Sequence, residues 1–335
     1  MTTSDSVTTL DDLGEDGVLR RLLDRLPRTP TPGLLVGPGD DAAVSAPSGR
    51  LVSTTDMLVE GEDFRRDWLD PRLLGIKAAA QNLADVAAMG ATPHGLLLSI
   101  AAPGDTPVEL LTELMDGFAA EAQRAGAAVF GGDLSGGPCI VVSVTALGSL
   151  TRPPVLRSGA QPGDAVVLAG TIGHAAAGLE LLFARVAPGE DRTLDPVIEV
   201  QRAPSPDYSA ALRAAPVAHA MIDASDGLSG DLGRLAVASG VRAALDRDAL
   251  EELARPLLPA ARALAARGAP GRPEERALRW VLDGGEDHGF IAAMPGQSVP
   301  VGWVRIGTCR AGQPGVELDG TPLTARAFSH FTGDR

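Results

Sequence analysis

Aspartates recur at five places, four of them with glycine, serine or threonine alongside: GPGDD at 37–41, STTD at 53–56, FGGDLSGG at 130–137 and IDASDGL at 222–228, with Asp85 in QNLADVAAMG at 81–90 as the fifth. Carboxylates beside backbone that can be approached closely are suited to hard cations. Mg²⁺ takes oxygen ligands and keeps waters and phosphates as its remaining partners. The pattern therefore points to a site that holds several such cations against a strongly anionic ligand. Each spot also has a plainer reading. An aspartate next to glycine can close a turn or cap a helix, Ser225 and Asp226 could be N-caps of a following helix, and Asp85 could sit on a solvated helix face with Lys77. The coincidence of five such spots, four of them at expected strand ends and loops where function concentrates, favours the ligand reading.

Composition limits what that ligand can be. The 335 residues suffice for one large or two ordinary domains, and 44% are hydrophobic. A formal charge of −14 argues against nucleic acid or an anionic membrane surface as partner, because both require a basic footprint. A bound phosphate must then come with metal. Lys77 is the sole lysine and no GxxxxGK[ST] run exists, which excludes a P-loop kinase. Cys139 and Cys309 have no CxxC spacing and read as buried thiols, not as a disulfide or zinc site. No basic region followed by an apolar stretch opens the chain and no apolar run is long enough to span a bilayer, so the expected location is the cytoplasm.

The elements that must position these residues follow from periodicity. Residues 1–13 read as a loose polar tail, and 15–26 as a helix. Segments 42–46 and 51–55, joined by Pro47, Ser48 and Gly49, predict a hairpin that would bring Asp40 near Asp56. The Ala-rich run 71–89, with Pro71 at its start and Gly90 past its end, predicts a helix with Lys77, Gln81 and Asp85 along one face. Strands at 94–101, 127–130 and 140–150, a helix at 107–125 and a glycine-rich loop at 131–137 complete a first domain, 14–150. The Pro/Gly-rich stretch 151–164 reads as a connector into a second α/β domain, 151–335. Its expected strands are 165–169, 218–222, 241–245, 289–293 and 301–308. Its expected helices are 173–183, 228–238, 250–267 and 274–282, with 252–272 a surface segment without chemistry.

At this level the chain resembles the thiamine-monophosphate kinases, of the ATP-binding superfamily that also holds aminoimidazole ribonucleotide synthetase. The resemblance rests on GPGDDAAV (37–44), STTDMLVEG (53–61), KAAAQNLADVAAMGA (77–91), GGD (131–133), RSGAQPGD (157–164), IDASDGL (222–228), GGEDH (284–288) and AFSHF (327–331). It implies a two-domain α/β fold with an N-terminal mixed sheet, a homodimer formed through the N-terminal domain, and ATP in a groove between the domains. It also implies several Mg²⁺ ions and transfer of the ATP γ-phosphate onto thiamine monophosphate, giving thiamine diphosphate.

Carried onto this chain, the resemblance makes Asp40, Thr54, Thr55, Asp56, Asp85, Asp133, Asp223 and Asp226 magnesium ligands, with Asp40, Asp56, Asp85 and Asp223 at the catalytic centre. Gly132, Asp133, Arg157 and Ser225 would contact the nucleotide. Glu286 and Asp287 would face the cationic thiamine moiety beside Phe328. His174, His219 and His288 are expected to pack or support, not to act as bases. Two positions depart from the family. Asp63 in GEDF stands where a substrate-touching histidine is usual, and would repel a phosphate unless a metal or Arg65 intervenes. Near Met115, relatives offer an aromatic to the adenine and this chain offers methionine.

Overall fold

The computed structural model describes residues 7–27 and 31–324. The chain divides into two compact units, Met1–Val86 with Thr92–Arg152, and Ala87–Ala91 with Pro153–Arg335.

The first unit contains α1 (Leu10–Leu13), α2 (Glu15–Leu23), β1 (Leu34–Val36), β2 (Val44–Ser45), β3 (Arg50–Val59), α3 (Pro71–Ala88, whose last two residues join the second unit), β4 (Thr92–Ala102), α4 (Val108–Arg124), β5 (Ala128–Gly136) and β6 (Val141–Leu150). Four strands form a mixed sheet in the order β3-β6-β4-β5, with β4 and β5 parallel and the other pairs antiparallel. The strict alternation of β6 buries Val142, Val144 and Ala146 on one face, beside Leu96, Leu98 and Ile100 of β4. Gly75 of α3 and Gly117 of α4 let the two helices approach closely. A Cβ on Gly75 would lie 2.0 Å from the Leu114 carbonyl oxygen, and one on Gly117 would lie 1.8 Å from that of Arg72.

Several expectations are corrected here. The 42–55 hairpin does not form. β2 pairs with β1, Leu34 opposite Ser45, while β3 pairs along all ten residues with β6, from Arg50 opposite Leu150 to Val59 opposite Val141. Length decides this: a two-residue strand cannot compete with a ten-residue partner that also buries an apolar face. Gly49 serves that pairing, because a Cβ there would lie 2.1 Å from the Leu150 carbonyl oxygen. The glycine-rich 131–137 run is mostly strand, with Gly131 to Gly136 paired to Leu97 through Ala102. Residues 8–13 are docked, not loose. Thr9 forms a capping box with Asp12, and the 8–11 backbone exchanges hydrogen bonds with 104–108. The Lys77 face of α3 is buried, with Lys77 2% exposed, so a solvated ion-pair face is ruled out. Met115 is also core, on the buried stripe of α4.

The second unit contains β7 (Ala165–Ala169), α5 (His174–Phe183), α6 (Asp195–Arg202), α7 (Tyr208–Ala214), β8 (Ala220–Ala224), α8 (Leu228–Ser239), β9 (Arg242–Leu245), α9 (Arg247–Ala254), α10 (Leu258–Ala266), α11 (Pro273–Asp283), β10 (Gly289–Met294), β11 (Val304–Arg310), β12 (Gly315–Leu318) and β13 (Thr321–Pro322). The sheet order is β13-β12-β9-β11-β7-β10-β8, antiparallel except for β9 with β12. β7, β8 and β10 are buried at every residue, which explains sequences that are apolar throughout except for Asp223 of β8. The single helix expected at 250–267 is two helices joined by a 3₁₀ turn at Arg255–Leu257, because Pro256 and Pro259 each remove an N–H donor. It is not a bare surface segment: Leu257, Ala260, Ala261 and Leu264 belong to the core. Helices α6 and α7 were not anticipated, although DPVIEVQR carries Pro at the first turn and apolar residues at helical spacing. Among the described residues no helix is long and apolar enough to cross a membrane.

Candidate active site

In the first unit the acidic spots are arranged by the mixed sheet and α3. Thr54 and Asp56 occupy alternate positions of β3 and so share one face. The Thr54 hydroxyl donates to Asp85 Oδ2 of α3 at 2.8 Å, joining two of the expected ligands. Thr55 points the other way and donates to the Val144 carbonyl at 2.8 Å. Asp40 is exposed beside the Pro38–Asp40 bridge and accepts the Asp41 N–H at 2.9 Å. Asp133 is exposed on β5, opposite Ser99, and accepts from the Ser135 hydroxyl at 3.2 Å. Gly132 lies so near β4 that a Cβ would fall 1.8 Å from the Leu98 carbonyl oxygen.

The departure at Asp63 has a local cause. Its Oδ2 accepts the Val59 N–H at 2.8 Å, and its own N–H donates to the Val59 carbonyl at 2.9 Å. The carboxylate thus closes the turn that follows β3. Arg65 does not shield it: its guanidinium pairs with Asp67 at 2.7 Å and stacks on Trp68, 4.4 Å from the ring centroid.

In the second unit β8 delivers Asp223 into a turn that opens α8. Asp223 is 3% exposed, and its Oδ2 lies 3.2 Å from His288 Nδ1. Ser225 and Asp226 are not N-caps. The cap is Gly227, at φ +112°, with no side-chain hydrogen bond, and a Cβ there would lie 2.8 Å from the Asp283 carbonyl carbon. Asp226 instead accepts Arg234 Nη2 at 2.6 Å, while its N–H donates to Asp231 Oδ2 at 2.9 Å. Burial, then the charges of Asp223 and Asp226, push the Asp231 carboxyl up to about 6.

The GGEDH segment lies along this turn. Glu286 N–H donates to the Ser225 carbonyl at 2.8 Å and His288 N–H to that of Ala224 at 3.1 Å. Gly285 permits this approach, since its Cβ would meet the Ser225 carbonyl oxygen at 2.4 Å. Glu286 and His288 both have left-handed φ, +67° and +54°, at a cost of roughly 1–2 kcal/mol each. Strain of this kind concentrates where geometry serves a ligand. Glu286 Oε2 accepts from Gln201 Nε2 at 2.9 Å. Asp287 turns the opposite way. It is 2% exposed and takes the N–H groups of His174 at 3.1 Å and Ala175 at 3.2 Å, which anchors the start of α5. Its burial raises its pKa despite those bonds and the nearby His174. Of the two neighbouring carboxylates, Asp287 is thus committed to the start of α5 and Glu286 is not. Arg157 is exposed, and its carbonyl accepts from Ser239 at 3.0 Å. Phe328 lies outside the described residues. Arg234, Asp231 and Gln201 were not singled out from the sequence. The i,i+3 spacing of Asp231 and Arg234, just after SDG, was the available signal.

Two further groups of the second unit are held by burial and a shared carboxylate, Asp164. His219 Nδ1 lies 2.9 Å from the buried Asp164 carboxylate. Burial, and secondarily Asp164, push the Cys309 thiol up to about 12. Because only the thiolate is nucleophilic, native protein at pH 8 should release one thiol equivalent to Ellman's reagent, from the half-buried Cys139, and the second only on denaturation. Two equivalents reacting together in the native state would contradict the burial of Cys309.

Among the described residues no three His, Cys, Asp or Glu side chains converge to hold a metal ion unaided. Magnesium does not ask for such a cage, since one or two carboxylates with waters and phosphates suffice. The donors fit it: all are oxygens, Thr54 orients Asp85, and near the buried Asp223 the Asp226 and Asp231 carboxylates share one guanidinium, that of Arg234.

The two halves of one family match in order: the N-terminal domain of AIR synthase related proteins over residues 39–150 and the C-terminal domain over 161–304. Thiamine-monophosphate kinase of Mycobacterium tuberculosis is 44% identical over 325 residues, 95% of this chain and 92% of that protein. The crystal structure of thiamine-monophosphate kinase from Stenotrophomonas maltophilia K279a superposes with a TM-score of 0.76 at 31% identity, covering 92% of this chain and 96% of that one. AaThiL complexed with AMPPCP and TMP superposes with a TM-score of 0.73 at 29% identity, covering 98% and 100%. Identity of this extent, over nearly the whole of both chains and with both family domains matched, means that the chain belongs to the thiamine-monophosphate kinases within the AIR synthase related proteins.

Proposed function

We propose that this chain transfers the γ-phosphoryl group of ATP to the phosphate of thiamine monophosphate, releasing thiamine diphosphate and ADP. The observation that carries the reading is the 44% identity over 95% of the chain to the thiamine-monophosphate kinase of Mycobacterium tuberculosis. AaThiL complexed with AMPPCP and TMP supports the two substrates.

The chemistry matches what these residues can do. The acceptor is a phosphate monoester with a second pKa near ~6, so its attacking oxygen is mostly ionised at neutral pH and needs no base. His219 and His288 are engaged by Asp164 and Asp223 and serve as supports. The barrier is repulsion between two anions that must come within about 3 Å. Bound magnesium would supply charge neutralisation and orientation of the phosphates. In the first unit Asp40, Thr54, Asp56, Asp85 and Asp133 would serve as ligands to such ions, and in the second unit Asp223 and Asp226 would. Thr55 enters this set less directly, because its hydroxyl is committed to the Val144 carbonyl. Gly132 and Ser225 would contact the nucleotide, with the exposed Arg157 guanidinium pairing a phosphate in two-pronged fashion. Glu286, held by Gln201, presents a carboxylate suited to a thiazolium cation.

The deciding experiment incubates purified protein with ATP, Mg²⁺ and thiamine monophosphate and follows thiamine diphosphate by chromatography. Formation of that product with stoichiometric ADP is expected. Nucleotide binding without product would sink the reading.

A homodimer through the first unit is part of the same proposal. Leu51, Met57 and Leu97 are 57%, 59% and 37% exposed on the sheet. The register places Thr55, Thr145 and Leu97 side by side, so these residues share one face. A sheet face with such side chains open to water favours a second copy. Sedimentation should give a dimer, and Met57→Asp with Leu97→Asp should shift it to monomer. A wild-type monomer at micromolar concentration would refute this.

A further inference from the structure

Just beyond the SDG turn, α8 carries two side chains that close a ring around Asp226. Asp231 has no exposed surface and uses both carboxylate oxygens: Oδ2 accepts the Asp226 N–H at 2.9 Å and Oδ1 accepts Arg234 Nη1 at 2.5 Å. Arg234 then reaches back, with Nη2 2.6 Å from Asp226 Oδ2. One residue thus fixes the backbone of Asp226 and, through the arginine, one oxygen of its side chain. The other oxygen, Oδ1, lies outside the ring.

We propose that Asp231 and Arg234 form a positioning clamp that sets the Asp226 carboxylate for a divalent cation. The inference rests on Asp226 being a cation ligand, as the functional reading holds. Physically, an aspartate in a turn can take several rotamers and must lose that freedom when it binds a metal. A guanidinium fork fixed by a buried carboxylate removes the freedom in advance. Simple electrostatics makes the opposite forecast. Arg234 is a positive charge next to a cation ligand, so deleting it should tighten cation binding if charge alone mattered. The two accounts therefore differ in sign.

The experiment titrates the full-length protein with Mn²⁺, read by the electron paramagnetic resonance of free Mn²⁺, for wild type, Arg234→Ala and Arg234→Lys. The clamp predicts weakening of about 10- to 100-fold for both variants, with lysine failing to rescue because a point charge cannot bridge two carboxylates. It also predicts that Arg234→Ala has almost no further effect once Asp226→Asn is present, since the arginine would act through that residue. In turnover, the Mg²⁺ concentration for half-maximal rate should rise while kcat at saturating Mg²⁺ stays within a few fold. Unchanged or tighter Mn²⁺ binding in Arg234→Ala overturns the clamp, as does full rescue by lysine, additivity with Asp226→Asn, or a wild type that binds no Mn²⁺. Thermal unfolding identifies a variant that merely fails to fold, and Arg234→Lys, the milder change, keeps the test open in that case. The titration contains no thiamine monophosphate, so failure of the kinase assay is recorded separately.

Discussion

Asp56→Asn is expected to lower turnover by on the order of 10²–10³-fold, the scale seen when a group that stabilises developing charge is removed. Asparagine keeps the shape of the side chain and removes one negative charge. Asp56 is exposed on β3, one alternate position along from Thr54, which is bonded to Asp85. An exposed position of this kind typically changes stability by no more than about 0.5 kcal/mol, so the melting temperature should be nearly unaltered. Steady-state rates of thiamine diphosphate formation, measured with circular dichroism melts of the same samples, check both halves of the expectation. Turnover near the wild-type value would remove Asp56 from the ligand set.

Gly132→Ala should fail in a different way. Its Cβ would be placed 1.8 Å from the Leu98 carbonyl oxygen, and backbone cannot swing aside as a side chain can. β5 must then separate from β4, at a cost of about 1–3 kcal/mol or more, carrying Asp133 with it. The expected result is a lower urea midpoint together with loss of nucleotide binding. The contrast between the variants is diagnostic: Asp56→Asn should lose chemistry in an intact fold, and Gly132→Ala should lose both. An unchanged midpoint for Gly132→Ala would show that the strands are not in such close contact.

Much of the fold was legible because the signals are local. The alanine and leucine content of 71–88, with Pro71 at its start and Gly90 beyond its end, determines a helix, while its burial on nearly every side is set by packing. The apolar runs of β7, β8 and β10 mark strands buried on both faces. The hairpin failed because turn signals at Pro47, Ser48 and Gly49 say only that the chain changes direction, not which strand it meets next. Likewise GGDLSGG looked like a loop because glycine has low strand propensity, while its actual use is to bring β5 against β4.

The kind of chemistry could be read from residue types in order: oxygen donors, glycines beside them, a single lysine and a strong negative charge leave metal-assisted phosphate handling as the coherent reading. Those are properties each residue carries with it. Direction is not. Glu286 and Asp287 are neighbours of similar chemistry, yet one is held by Gln201 and the other is turned into the start of α5. Backbone torsions around Glu286 and His288, set by the approach of their segment to β8, decide between them. Asp63 proved to be a turn closure and Lys77 a buried residue, while Arg234 emerged as the partner of Asp226. These assignments depend on contacts between residues distant in the chain or on the path of the backbone, and only packing specifies them.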